Sequence, residues 1–307
     1  MRRFTHKAMD TEFSVSFGLN EDARLCESAA NACFERIDAL ELLLSRFHDT
    51  SDVAVIRGLR PGEVATVARE TMDVLLASAQ VCGATGGAFD PTVAPVMDRL
   101  RELGANWASL TEEVRDDALA RGGMQRLVLD VDNLRVAAKE DRRGRPTPLE
   151  LDFGGIGKGY ALDACGEVLR SEQFELSDWL LDAGSSTQLI SGGPWPLGVG
   201  GRWKRRTRTE TVLRLSDGAL SGSGFEIQGQ HVVDVRRRGA AASWAQTWSR
   251  AKSAAVADAL STAALALSPR ELEAACRALD ARVLVAREQR PFFDRLRDPL
   301  AWFGTST

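Results

Sequence analysis

The chain has 307 residues, of which 44% are hydrophobic and 27% are charged, and its formal net charge is −4. This balance is typical of a globular protein with a sizeable core, and it excludes wholesale disorder, a fibrous repeat and a general nucleic-acid binder. No apolar run approaches the roughly 18–20 residues that a membrane-spanning helix needs.

Cysteine and histidine usage narrows the possible site chemistry. The five cysteines are scattered and lack CxxC spacing, which argues against a disulfide framework or a zinc site and fits a reducing compartment. With only three histidines, a metal would be a hard cation held by oxygen. The first residues include two arginines but no apolar stretch behind them, so we expect no secretory signal and a cytoplasmic protein.

The predicted elements begin with a long helix. Leu25, Cys33, Ile37 and Leu44 belong to an apolar stripe with a spacing of three or four residues, which predicts a helix over Glu21–Phe47. Further helices are predicted over Arg69–Val81, Thr111–Arg121, Lys158–Arg170, Ser253–Leu267 and Glu271–Leu279. The helix over Thr111–Arg121 is expected to be polar and short.

Strand signals are interspersed with these helices. Leu127–Val131 and Leu134–Val136 flank Asp132 and Asn133, which is the pattern of a β-hairpin. Further short strands are predicted over Leu149–Phe153, Trp179–Asp182, Gln188–Ile190, Leu197–Val199 and Val212–Leu215. Because strands and helices do not alternate strictly, we expect an α/β or α+β fold with a mixed sheet flanked by helices, not an eight-unit barrel. The lack of an internal repeat or a long linker predicts a single domain over residues 1–307.

The first motif that could carry chemistry is Thr85–Thr92 (TGGAFDPT). Two glycines can bring backbone amides close to a ligand or adopt positive φ, and Asp90 is held extended by the proline that follows it. Phe89 could stack on a planar ring. The alternative is a turn that ends the preceding helix, with Phe89 in the core.

The second motif is Leu151–Asp163 (LDFGGIGKGYALD). A strand, a glycine-rich turn and a helix offer backbone amides and a positive dipole end to a phosphate. The motif is not a P-loop, because Asp152 and Gly159 stand where that loop has Gly and Ser or Thr. Asp152 and Lys158 bracket the turn, which suits a ligand with phosphates and a polar ring. A tight turn with a surface lysine is the alternative.

The third motif is Ala257–Ala263 (ADALSTA). Asp258 and Thr262 are four residues apart, on one face of a helix, and Ser261 adds a further hydroxyl. One carboxylate with hydroxyls fits a Mg²⁺ shell that a backbone carbonyl and phosphate oxygens complete. Helix packing of an alanine-rich segment is the alternative.

The fourth motif combines Ser221–Phe225 (SGSGF) with Gln230–Asp234 (QHVVD). His231 is a candidate general base, because imidazole titrates near neutral pH. A structural histidine in a strand is the alternative.

These motifs, in this order, resemble those of the ApbE family, the FAD:protein FMN transferases. The resemblance also includes Ala8–Thr11 (AMDT) and Ser45–Phe47 (SRF). It covers about residues 8–268 and leaves 269–307 as a C-terminal helical and aromatic tail.

The resemblance implies an ApbE/T-fold-like single unit with an FAD crevice. It implies transfer of the FMN part of FAD to a Thr or Ser hydroxyl of an acceptor protein, with release of AMP and with Mg²⁺ at the pyrophosphate. It assigns the FAD site to Met9, Phe47, Ala88, Phe89, Asp90, Asp152, Lys158 and Val233. It assigns Mg²⁺ to Asp258, Ser261, Thr262 and the Gly155 carbonyl, and activation of the acceptor hydroxyl to His231.

The chain departs from the family pattern at three places. Residues 235–239 read VRRRG where the family has P-x-T-G after HxxD, Asp10 stands where the family has Gly, and Ser185 replaces a second Gly. The changed loop leaves two alternatives open. One is a Mg²⁺-dependent FAD pyrophosphatase, in which water replaces the acceptor hydroxyl, and the other is a non-catalytic FAD-binding protein.

Overall fold

A computed structural model gives the fold. It describes residues 1–94, 98, 102, 110–184, 186–199, 211–224, 233–234, 236, 239–240, 244–286 and 301–304. Within these ranges, no helix has both the length and the apolar character needed to cross a membrane.

The helices pack mainly on one face of a large sheet. Their bounds are as follows: α1 Ala23–Leu44, α2 Asp52–Gly58, α3 Arg69–Ala84, α4 Glu112–Arg121, α5 Gly157–Arg170, α6 Ala254–Ala264 and α7 Pro269–Ala278. Short 3₁₀ turns cover Pro91–Val93 and Met124–Arg126. In α1 most of the predicted apolar stripe is buried, including Cys33, Ile37 and Leu44, whereas Leu25 is half-buried and the unpredicted Cys26 is buried instead.

The strands that the structure describes form one large sheet and three small ones. Their bounds are as follows: β1 Arg2–Ala8, β2 Thr11–Phe17, β3 Val64–Thr66, β4 Leu127–Asp130, β5 Arg135–Ala138, β6 Trp179–Ala183, β7 Thr187–Ser191, β8 Trp195–Val199, β9 Thr211–Leu215, β10 Gly218–Gly224, β11 Val233–Asp234, β12 Gly239–Ala240, β13 Gln246–Ala251, β14 Arg282–Ala286 and β15 Ala301–Phe303. The large sheet has the order β1-β2-β6-β7-β10-β13-β14-β15. The small sheets are β3-β5-β4, β8-β9 and β11-β12.

The large sheet separates two hydrophobic clusters. Because successive residues of a strand point to opposite faces, Leu189 faces the main core beneath the helices, whereas Ile190 faces a smaller cluster. The smaller cluster includes Trp195 and Leu197 of β8, so the β8–β9 ribbon covers the face of the sheet opposite the helices.

The expected fold class is confirmed, since helices flank a sheet in a mixed α and β chain. The pairings between the described strands are antiparallel, where a mixed sheet was expected. Hairpins such as β1–β2 and β6–β7 join strands that are consecutive in the chain, and a hairpin imposes antiparallel pairing.

The strand predicted over Leu149–Phe153 is wrong. Its backbone does not pair with a neighbouring strand; instead the Asp152 N–H donates to the carbonyl oxygen of Pro91 at 2.7 Å. That contact fixes the approach to the glycine-rich turn without a strand. The sequence reading also missed β1, β2, β10, β13, β14 and β15, all of which belong to the large sheet. The last two lie in the segment 269–307, which was expected to be a helical and aromatic tail.

The turn between β1 and β2 explains one departure from the family pattern. Met9 and Asp10 have φ angles of 49° and 56°, in the left-handed region that favours glycine. Aspartate is among the few other residues that adopt this region readily. Asp10 therefore adopts this conformation although it carries a side chain.

Candidate active site

Helices α5 and α6 cross at the candidate site with very little space between their backbones. A Cβ atom placed on Gly159 of α5 would lie 2.2 Å from the carbonyl oxygen of Ala254, the first residue of α6. Glycine is the residue that allows this approach. The crossing places the first turn of α5, which follows the glycine-rich turn, beside Asp258 of α6.

Asp258 lies in the middle of this crossing and is 4% exposed. Its Oδ2 accepts a hydrogen bond from the Gly159 N–H at 3.2 Å, so it satisfies one of the free amides at the N-terminus of α5. Its Oδ1 accepts from Thr187 Oγ1 at 3.2 Å and from Ser221 Oγ at 3.4 Å. One carboxylate therefore joins both helices to the neighbouring strands β7 and β10.

Hydroxyl groups line the space around this carboxylate. The hydroxyl cluster consists of Thr187, Ser221, Ser223, Ser261 and Thr262. The Oγ of Ser223 lies 2.7 Å from Ser261 Oγ and 3.3 Å from Thr262 Oγ1. The Ser261 hydroxyl donates to the backbone carbonyl of Asp258 at 2.9 Å. Strand β10 thus faces the third motif across the site.

The glycine-rich turn closes the opposite side. Lys158 Nζ donates to the carbonyl oxygen of Gly154 at 2.9 Å and lies 3.9 Å from Asp258 Oδ2. A Cβ atom on Gly155 would lie 3.6 Å from Thr262 Oγ1, which shows how near this backbone is to α6. A positive charge, one carboxylate, hydroxyls and backbone carbonyls therefore share one small region.

The donor set of this region fits a hard cation. In the part of the chain that the structure describes, no three His, Cys, Asp or Glu side chains form a group that could hold a metal. A single carboxylate with hydroxyls and a carbonyl leaves positions for ligand oxygens, as Mg²⁺ requires and as a closed zinc site does not. Asp258, Ser261, Thr262 and Gly155, which the resemblance assigns to Mg²⁺, lie together here.

Asp152 forms a second charged group at the start of the turn. Its Oδ1 accepts from the Gly154 N–H at 2.8 Å, and its Oδ2 accepts from Arg46 Nη1 at 3.0 Å. Arg46 also donates to Asp98, and its Cζ lies 5.4 Å from the centre of the Phe47 ring. Burial works against the charge of Arg46, but the two carboxylates outweigh it and raise the pKa of the guanidinium. Two predicted FAD residues, Asp152 and Phe47, therefore contact one arginine.

The TGGAFDPT segment forms a turn at the end of α3. Phe89 is 6% exposed and belongs to the main core, so the structure favours the packing interpretation of its ring. Asp90 Oδ1 accepts from the N–H and hydroxyl of Thr92 at 2.9 and 2.6 Å. Burial raises the pKa of the Asp90 carboxyl, although these bonds oppose the rise. The segment thus holds its acidic side chain inside the fold.

The remaining predicted FAD residues lie at different depths. Phe47 is 76% exposed, so its ring is accessible to a ligand. Met9 and Ala88 are half-buried, and the Met9 N–H donates to Glu41 Oε1 at 2.9 Å. Val233 begins β11, and its side chain lies outside the described structure. The predicted base His231 also lies outside the described residues.

The sequence reading gave no role to several residues of the site. Thr187 gives no local signal, because it reaches Asp258 from a strand 71 positions away in the chain. Arg46 and Asp163 stand within quoted motifs but received no role. Asp163 accepts from the N–H groups of Ala254 and Ala255 at 2.7 and 2.9 Å, and burial raises the pKa of its carboxyl.

Proteins of known structure share this fold. The flavin transferase ApbE of Vibrio cholerae is 17% identical and superposes with a TM-score of 0.78, covering 99% of this chain and 97% of that chain. A curated FAD:protein FMN transferase of Klebsiella pneumoniae is 24% identical over 245 residues, 74% of this chain and 67% of the relative. Its counterpart in Vibrio cholerae is 21% identical over 206 residues, 62% of this chain and 58% of the relative.

The comparison with protein families gives the assignment. The matching family is described as the ApbE family, and the match covers residues 9–285. This range includes the Thr85–Thr92 and Leu151–Asp163 motifs, the Asp258 helix and the segment around His231. The chain therefore belongs to the ApbE family.

Proposed function

We propose that this chain transfers the FMN part of FAD to a Thr or Ser hydroxyl of an acceptor protein and releases AMP. The observation that carries the proposal is the position of Asp258 and the hydroxyl cluster beside the glycine-rich first turn of α5. The family assignment and the names of the curated relatives support the same activity. The matches span only 67% and 58% of the length of those relatives. We therefore base the proposed activity on the site of this chain itself.

The site suits a pyrophosphate. Helix N-termini attract phosphate through free backbone N–H groups and the helix dipole, and α5 begins directly after the glycine-rich turn. Lys158 adds a positive charge at the same turn. Phosphoryl transfer depends chiefly on positioning and on neutralising charge, which these groups supply.

The proposed cofactor is Mg²⁺, held by Asp258, Ser261, Thr262 and the Gly155 carbonyl. When bound, Mg²⁺ polarises the pyrophosphate and stabilises the charge on departing AMP. The chain itself keeps Asp258 in place through hydrogen bonds from Gly159, Thr187 and Ser221. This arrangement fixes the carboxylate before any ligand arrives.

The proposed FAD contacts extend from this centre to residues on the surrounding turns. They are Met9, Phe47, Ala88, Phe89, Asp90, Asp152, Lys158 and Val233. Exposed Phe47 supplies an accessible ring, while Asp152 supplies a carboxylate held by Arg46. We propose His231 as the base that removes the proton of the acceptor hydroxyl. The hydroxyl oxygen then bonds to the phosphorus of the FMN part, and the bond to AMP breaks.

The changed loop after Asp234 favours a second candidate function. Without the P-x-T-G segment of the family, water could replace the acceptor hydroxyl, and the chain would then act as a Mg²⁺-dependent FAD pyrophosphatase. A non-catalytic FAD-binding protein is the third candidate. We further propose that residues 1–307 act as one unit. We also propose that the protein works in the cytoplasm, because its five cysteines are free, as is usual in a reducing compartment.

Incubation of the purified chain with FAD and Mg²⁺, with and without a flavin-acceptor domain, tests these candidates. A fluorescent acceptor band on a denaturing gel, together with AMP, is the expected result. AMP and free FMN without such a band would support the pyrophosphatase, and intact FAD throughout would support the binding protein.

A pair of variants tests the metal site. Asp258→Asn should raise the Mg²⁺ concentration required for half-maximal AMP release at least tenfold, because a neutral amide binds a hard cation weakly. Asp280→Asn is the matched control, since its carboxylate is 69% exposed and contacts Lys252. An unchanged Mg²⁺ requirement in Asp258→Asn would contradict the metal assignment.

A further inference from the structure

Arg236 lies in the altered loop and contacts the first motif. Strands β11 and β12 pair antiparallel as a short hairpin, and Arg236 lies in the connection between them. Its side chain is 19% exposed. In the sequence His231 precedes β11 by two residues, so the hairpin that carries Arg236 directly follows the proposed base.

Polar contacts join the arginine to described residues outside the hairpin. Its Nη1 donates to the backbone carbonyl of Thr85 at 3.2 Å and to Glu271 Oε1 at 3.1 Å. Glu271 is itself fixed, because its Oε2 accepts from the N–H and hydroxyl of Ser268 at 2.8 and 2.6 Å in the capping box of α7. Arg236 thus binds a carboxylate whose orientation the helix start already sets.

The two glycines of the first motif lie beneath the same side chain. Gly86 and Gly87 have φ angles of 58° and 84°. Cβ atoms at these positions would lie 3.9 Å from Arg236 Nη1 and 3.9 Å from its Cγ, respectively. Their bare backbone therefore faces the arginine, and a larger side chain at either position would extend towards it.

These contacts connect the hairpin to a rigid part of the fold. We infer that Arg236 is a positioning residue, which anchors the β11–β12 hairpin to the Gly86–Gly87 turn and to α7, and that the transfer requires this anchor because the proposed base His231 precedes the hairpin by two residues in the sequence. This chain has VRRRG in place of the family segment P-x-T-G, and Arg236 supplies the anchor within it. The expected effect on flavin transfer rests on the proposed function, whereas the contacts of Arg236 do not depend on it.

The kinetic test uses Arg236→Met, which keeps most of the aliphatic stem and removes the charge and the hydrogen bonds. We expect kcat for flavin transfer to fall at least tenfold while the KM for FAD changes less than twofold, because the proposed FAD groups stay in place. Arg236→Lys should recover part of kcat, since it keeps the charge that binds Glu271. Glu271→Gln should give an intermediate loss, because an amide oxygen still accepts.

Arg36→Met is the matched control. Arg36 pairs with Glu70 at 2.8 Å between α1 and α3, which is the same kind of contact between two elements. The kcat of Arg36→Met should stay within twofold of the wild-type kcat. Equal losses of kcat in Arg36→Met and Arg236→Met would overturn the inference, as would an unchanged kcat in Arg236→Met.

Hydrogen exchange separates this inference from the proposed function. In the wild-type chain and Arg236→Met, exchange is measured by mass spectrometry over peptides that contain residues 231–240. The anchor predicts faster exchange of these peptides in Arg236→Met and unchanged exchange in the α5 peptides. Unchanged exchange of 231–240 would overturn the anchor even if flavin transfer is active. Faster exchange in a chain without transferase activity would keep the anchor and contradict the proposed function.

Discussion

Asp163 and Asp258 each cap the helix that carries the other. Asp163 in α5 accepts from the N–H groups of Ala254 and Ala255 at the start of α6. Asp258 in α6 accepts from the N–H of Gly159 in the first turn of α5. Gly159 and Ala254 make the close contact between the two helices. Asp163 follows Gly159 by four residues, and Asp258 follows Ala254 by four residues. The carboxylate proposed to hold the metal is therefore also a structural part of the helix crossing.

The first prediction concerns that crossing. Gly159→Ala should lower the free energy of unfolding by about 3 kcal/mol or more, at the upper end of overpacking costs. The added methyl group would meet the Ala254 carbonyl oxygen at 2.2 Å, and backbone cannot move aside as a flexible side chain can. Urea unfolding followed by circular dichroism measures the change.

Gly83→Ala is the matched control, because Gly83 is also helical and a Cβ atom there would meet nothing within 4 Å. It should leave stability unchanged or raise it by up to about 1 kcal/mol, because alanine loses less backbone entropy than glycine. Equal stability of Gly159→Ala and wild type would show that α5 and α6 can separate freely.

The second prediction concerns the β1–β2 turn. Asp10→Gly should raise the free energy of unfolding by about 0.5–1 kcal/mol, because glycine adopts a φ of 56° without the strain that a Cβ atom causes. The shift in the midpoint of thermal unfolding measures this change in stability. Asp49→Gly, at an exposed turn outside the positive-φ residues, is the control and should be neutral or slightly destabilising. A loss of stability in Asp10→Gly would mean that the aspartate side chain has a role of its own.

Local patterns in the sequence predicted the parts of the site that are local in the chain. The apolar stripe of α1 and the glycine-rich start of α5 were visible because periodicity and backbone demands act within a few residues. Thr187 and Ser221 were not assigned, because they meet Asp258 only after β7 and β10 pair in the large sheet. Strand pairing over long separations leaves little trace in a single sequence.

The same limit applies to the strand wrongly predicted over Leu149–Phe153. Apolar residues alternate there as in a strand, but the backbone of Asp152 bonds to Pro91 in the turn after α3. Whether this backbone pairs with a strand or makes a single hydrogen bond to a distant residue depends on the tertiary structure, which the local sequence does not show. Asp163 shows the converse case, in which a residue inside a recognised motif has its role only through a distant helix.

The third prediction concerns the cysteines. The five cysteines are free, and burial raises the pKa of Cys82 to about 12 and that of Cys276 to about 11. Because the thiolate is the reactive form, native Cys82 should react about tenfold faster for each pH unit above 8 and should react very slowly at pH 8. Iodoacetamide labelling followed by mass spectrometry, native and in urea, measures this. Rapid labelling of native Cys82 at pH 8 would contradict it.

The same shift has a consequence for stability. The pKa of Cys82 is higher in the folded chain than its ordinary value of 9.0, so the folded state holds this proton more tightly. Its contribution to stability is therefore fully present below pH 9.0 and is lost as the pH rises towards about 12. A Cys82→Ala variant should lose less stability than the wild type over that interval.

The fourth prediction concerns the arginine between two carboxylates. Arg46→Met should raise the KM for FAD about tenfold or more, which corresponds to about 1.4 kcal/mol. Its side chain is 14% exposed and binds Asp152 and Asp98, so its loss leaves two partly buried carboxylates without this partner. Both carboxylates would then repel the phosphates of FAD. Steady-state AMP release at varied FAD measures the effect.

Arg46→Lys distinguishes charge from geometry at this position. A lysine has one compact ammonium group, whereas the arginine fork reaches Asp152 through Nη1 and Asp98 through Nη2. The lysine variant should therefore recover only part of the affinity for FAD, and Arg36→Met should leave it unchanged. Full recovery with lysine would show that a positive charge suffices and that the bridge between the two carboxylates does not position the proposed FAD site.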